Sequence, residues 1–62
     1  MCLSNVFLVS DDSEELVCEY ASNVEIDGDK IVLTDVIGQE ITITGTIANV
    51  DLIKNQIKVK QL

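Results

Sequence analysis

Ile41-Thr42-Ile43-Thr44-Gly45-Thr46-Ile47-Ala48 is the cleanest alternation in the chain. Ile41, Ile43, Gly45 and Ile47 fall on one face, and Thr42, Thr44, Thr46 and Ala48 on the other. Strict period two with β-branched residues reads as a strand with one buried face. A glycine in the middle of the apolar row marks a bend or a close backbone approach, as at the corner of a small barrel.

Outward from that strand, the punctuation is all of the hairpin kind. Upstream, Asp27-Gly28-Asp29 separates Ile26 from Ile31, and an Asp-Gly pair between apolar stretches predicts a tight turn. Lys30 to Val36 is the strand between that turn and Ile37-Gly38-Gln39-Glu40. Downstream, Val50-Asp51-Leu52-Ile53 leads through Lys54-Asn55 into Gln56 to Lys60. Asn55 tolerates the left-handed conformation of a tight turn, and Asp51 is placed to accept from a turn amide. In the last strand Ile57 and Val59 point inward, and Lys58 and Lys60 outward.

The N-terminal half has the same character. Leu3 to Val9 is apolar on both faces, with Val6 and Leu8 alternating against Leu3, Phe7 and Val9, so the strand is covered on two sides. Ser10 to Glu14 is a polar turn, after which Leu16, Cys18 and Tyr20 are expected on one face. A hairpin there sets Cys18 opposite the middle of the first strand, near Phe7, and makes a Cys2–Cys18 disulfide geometrically unfavourable. Ala21 to Ile26 continues extended. The expectation is one all-β domain over residues 1–62, with six or seven short antiparallel strands in a small barrel or sandwich.

A chain of 62 residues has a thin core. The two-sided apolarity of the first strand exceeds what a monomer of this size covers, which predicts a homodimer built around it. Met1 runs straight into a strand with no basic leader, and no apolar run reaches membrane-span length. The expected compartment is the cytoplasm, with reduced thiols.

Eleven acids against four lysines give a net charge of −7. That field attracts cations and repels phosphate backbones. RNA binding needs basic residues along a path and aromatics to stack bases; with three of the lysines near the C-terminus and only Phe7 and Tyr20 as aromatics, RNA is disfavoured as a partner. With no histidine, no paired serine nucleophile and no glycine-rich phosphate loop, the sequence does not read as an enzyme. The Asp11-Asp12 and Asp27-Gly28-Asp29 groups lack the spacing of a calcium loop and read as turns. Cys18, at strand period among apolar residues, reads as core.

Cys2 is the candidate metal ligand. Removal of Met1 would leave an amine, an amide and a thiol on one residue, the only obvious chelating set in the chain.

Met1-Cys2-Leu3-Ser4 followed by Val6 and Leu8, Val24-Glu25-Ile26 before Gly28-Asp29, and Gly45 followed by Val50-Asp51-Leu52 and Ile57 together resemble the CooT family of small nickel-binding proteins. The resemblance covers nearly the whole chain, and its most specific parts are the Met-Cys-Leu opening and the Val-Asp-Leu triplet. It departs at Asn55, where family members often carry glycine. It implies a small SH3-like barrel, a homodimer, and nickel(II) held by Cys2 at the subunit interface. The best-known member assists nickel supply to carbon monoxide dehydrogenase, so the resemblance implies a metallochaperone or nickel-responsive accessory with a nickel-enzyme maturation partner; the alternative reading is a non-enzymatic SH3-like interaction module, with RNA the least favoured partner. The family's likeness to RNA-binding barrels rests on fold alone. An amine, amide and thiolate set suits square-planar nickel(II), and two Cys2 thiolates across a two-fold axis would complete a four-donor plane.

Overall fold

The computed structural model describes residues 3–62. Five strands make up the sheet among these residues: β1 (Ser4–Val9), β2 (Glu14–Asp27), β3 (Lys30–Asp35), β4 (Glu40–Asp51) and β5 (Gln56–Gln61). They close into a barrel in sequence order. The all-β barrel is as expected, but the count is five rather than six or seven. The stretches before and after Ala21 are one 14-residue strand, and the alternating Ile41–Ala48 run continues to Asp51 in a strand of 12. Nor is the barrel antiparallel throughout. An up-and-down chain with an odd number of strands must close on a parallel pair, and here β1 and β5 run parallel, with Val6 beside Ile57 and Leu8 beside Val59.

The long strands each serve two neighbours. β2 pairs with β1 up to Ala21 and with β3 from Ala21 onward. β4 pairs with β3 through Thr44 and with β5 from Gly45. The changeover at Gly45 needs the missing side chain, because a Cβ there would collide with the Lys60 carbonyl oxygen. Its amide donates to the Asp29 carbonyl at 2.7 Å, tying this corner to the β2–β3 turn.

β2 bends by inserting residues. Ser4 to Val6 faces Ala21 to Cys18, Val6 to Phe7 faces Cys18 to Leu16, and Asp35 to Thr34 faces Ala21 to Asn23. Each interval holds one more residue on β2 than on its partner, which is the pattern of a β-bulge. Each extra residue turns the following side chains to the opposite face. The expectation that Leu16, Cys18 and Tyr20 share a face is therefore corrected: Cys18 and Ala21 point inward, while Leu16 and Tyr20 are exposed. Cys18 lies opposite Val6, with Phe7 opposite Leu16.

The core is Val6, Cys18, Ala21, Ile31, Leu33, Ile43 and Val59, with Leu8, Val17, Val24, Ile47 and Ile57 packed against it. Alternation supplies it: Ile31 and Leu33 from β3, Ile43 and the buried Gly45 from β4, Val59 from β5. The turns use the residues read from the sequence. Gly28 (φ 61°) opens the two-residue β2–β3 turn, where a left-handed first residue matches strand twist. Asn55 (φ 55°) closes the β4–β5 turn, whose Ile53 and Lys54 amides both donate to Asp51 Oδ1, at 3.0 and 2.9 Å.

Candidate functional site

Cys2, the candidate metal ligand, lies outside the described residues. What the structure describes is the end of the barrel at which β1 begins. Ser4 pairs with Ala21. The Asn5 amide donates to the Asn55 carbonyl at 2.9 Å, and its Oδ1 accepts from the Tyr20 amide at 3.1 Å. One asparagine thus joins the first strand to the β2 bulge and to the β4–β5 turn. That turn carries exposed Leu52 and Ile53.

The second thiol is placed for packing. Cys18 is a free cysteine with 4% of its surface exposed, beside Val6 in the core. Burial pushes its thiol pKa up, and the negative charge of Asp35 adds to the shift. The thiol therefore stays protonated at neutral pH, and a protonated thiol is a poor metal donor. No group of three or more histidine, cysteine, aspartate or glutamate side chains placed to hold a metal ion occurs among the described residues. Asp51 is committed to its turn amides, and Asp35 likewise: its Oδ1 accepts from the Ile37 and Gln39 amides at 3.0 and 2.9 Å.

Beside Cys18 lies an open groove of about 400 Å³, which sequence reasoning missed. Val17 to Tyr20 forms one wall, and Asp35 to Ile37 with Gln39 and Ile41 the other. Tyr20 stands at its mouth, 53% exposed, on a left-handed backbone (φ 57°). An alternating strand pattern hides such a groove, since only the bulges turn Tyr20 outward. A second depression, of about 480 Å³, lies between the β1–β2 turn and the end of β5, lined by Leu8, Asp11, Glu15 and Lys60 among others. On the outer wall a Lys58–Glu14 ion pair (2.9 Å) joins β5 to β2, exposed enough to add little stability.

The family profile described as "CO dehydrogenase accessory protein CooT" matches residues 1–60. Among solved structures, the chain is similar to a crystal structure of a proposed CooT from Carboxydothermus hydrogenoformans. The TM-score is 0.92 at 24% sequence identity, covering 98% of each chain. At that identity the likeness establishes the fold. No curated protein matches at the same stringency.

Proposed function

The chain belongs to the CooT family of CO dehydrogenase accessory proteins, and on that premise we propose that it binds nickel(II) as cargo, through Cys2, for a nickel-enzyme maturation partner. The family is one of accessory proteins, and the chain is not itself an enzyme. The observation that carries the reading is the state of the other thiol. Cys18 is buried in the core, and burial raises its thiol pKa, so of the two cysteines Cys2 is the one we assign as ligand. Its thiolate, the mature amine and a backbone amide form a compact donor set with the strong in-plane field that nickel(II) favours.

The active form in this reading is a cytoplasmic homodimer of SH3-like barrels, with one metal shared between two Cys2 residues. Support for the dimer comes from the outward side of β1. Phe7 and Val9 stay partly uncovered by their own barrel, and exposed Leu16 lies opposite Phe7. Apolar surface continuous across two strands is what a second copy would bury.

Titration with nickel(II), followed by absorbance and by light scattering after size exclusion, tests both parts. The expected result is a thiolate charge-transfer band that saturates near one metal per dimer. Cys2→Ser abolishes the band, while Cys18→Ser keeps it and lowers only stability, by placing a hydroxyl in the core. An N-terminal tag weakens binding by removing the free amine. Undiminished nickel affinity in Cys2→Ser would overturn the metal reading, and a monomer at micromolar concentration the dimer.

A further inference from the structure

We propose that the groove between Val17–Tyr20 and Asp35–Ile41 is a docking site for a segment of another protein that presents one large apolar side chain between lysines or arginines. This goes beyond nickel binding and does not depend on it.

Tyr20 is the first ground. A left-handed backbone crowds the Cβ of any residue that has one against the neighbouring carbonyl oxygen, which is why glycine is usual there. Such strain is ordinarily offset by packing, yet the Tyr20 ring remains half-exposed at the mouth of the groove. Neither the backbone conformation nor the core calls for tyrosine at this position. An amphipathic ring held at a groove edge is, by contrast, a common contact residue at protein interfaces.

The opposite wall is the second ground. Val36 and Ile37 are exposed, Ile37 by 76%, at the tip of the β3–β4 loop. That loop is held open and fixed: Asp35 Oδ1 takes the Ile37 and Gln39 amides, and its main chain exchanges bonds with Gly38 and Gln39. A partner arriving here meets an apolar wall already in position, with little ordering entropy to lose.

Charge selects the occupant. Glu19 and Asp35 line the groove, Glu40 lies between two further lining residues, and none of the four lysines lines it. A second copy would bring the same carboxylates face to face, and like charges across an interface suppress association. A segment with basic flanks neutralises them and leaves its central side chain for the apolar walls.

The test is an NMR titration of the uniformly nitrogen-15-labelled full chain at low salt. The probes are capped pentapeptides: Lys-Lys-Leu-Lys-Lys, the same peptide with serine at the centre, and the leucine peptide with glutamate flanks. Saturable shifts confined to Val17–Tyr20 and Asp35–Ile41 are expected with the first, and binding about tenfold weaker with each of the others. Tyr20→Gly, which relaxes the backbone, and Ile37→Ser should each weaken the leucine peptide about tenfold while the spectrum stays dispersed. The proposal is overturned by the absence of saturable shifts, by equal response to leucine and serine centres, or by shifts spread over the whole acidic surface. Groove shifts that depend on protein concentration without peptide would overturn it too, giving the groove to a second copy.

Discussion

The two long strands turn from one neighbour to the next at corners built in different ways. β4 turns at Gly45 by omitting a side chain, so that its backbone passes against the carbonyl of Lys60. β2 turns between Leu16 and Asn23 by adding residues, and it holds Tyr20 in a left-handed conformation to do so. The first corner is tight and relaxed; the second is roomy and strained. The tight corner holds the barrel closed, whereas the strained one leaves a groove and an outward-facing aromatic beside it. Stability and surface chemistry are thus assigned to different corners of one small sheet.

The largest effect expected from breaking this contrast is at Gly45. Gly45→Ala places a methyl against a backbone oxygen that cannot move without opening the β4–β5 ladder. A loss of about 3 kcal/mol is expected, which for so small a domain lowers the thermal midpoint by on the order of 15 °C. Differential scanning calorimetry would show it, and a midpoint within a degree or two of the parent would mean that the corner is not tight.

At the other corner the same kind of substitution should act in the opposite direction. Tyr20→Gly removes the left-handed strain and leaves the core intact, since the ring is not part of it. Against the entropy that glycine adds to the unfolded chain, a net gain of about 0.5 kcal/mol is expected. Tyr20→Ala, which keeps the strain, should show no such gain. Urea denaturation of the two variants side by side separates them.

The smallest effect is a change of slope with pH, from Cys18 just inside the β2 corner. Burial, and then the Asp35 carboxylate, hold its folded-state pKa above the unfolded value. In the window between the two, the unfolded chain has released the proton and the folded chain has not. Stability is therefore complete at lower pH and falls as pH rises past about 9. Cys18→Ala should flatten that part of the stability–pH curve, and Asp35→Asn should reduce its slope more modestly. Parallel curves for parent and Cys18→Ala would contradict the assignment.

The contrast between corners also marks what sequence alone could reveal. Gly45 interrupts a strict alternation, so the bend is visible as a missing side chain in a known phase. The Asp27-Gly28-Asp29 and Asn55 turns are legible because their residue types carry backbone preferences of their own. The β2 bulges carry no such mark. Leu16, Cys18 and Tyr20 keep perfect period two in the sequence, and only the pairing with β1 and β3 decides where an extra residue is absorbed. The strand number is hidden for the same reason: a bent strand and two short strands have the same local pattern, so period alone does not show that Glu14–Asp27 is a single strand. The parallel closure of β1 on β5 is a property of strand number, and an error in the count conceals it. Cys18 does lie in the core, but its period-two neighbours Leu16 and Tyr20 do not, and its burial follows from the bulges that set it opposite Val6. The groove was not legible, because it depends on side chains that the bulges turn outward.

That parallel closure has a consequence for how the molecule is made. Every other neighbouring pair of strands is joined by a short turn and can zip up as the chain lengthens, but β1 must wait for its second partner until Gln56–Gln61 has been synthesised. Until then a growing chain is an open ribbon with two bare edges, the apolar β1 at one side and the far half of β4 at the other, each able to recruit a foreign strand. Synthesis of β5 therefore converts an aggregation-prone ribbon into a ring without edges. Stopping translation before β5 should yield a ribbon rather than a smaller barrel, because four of these strands have no way to close.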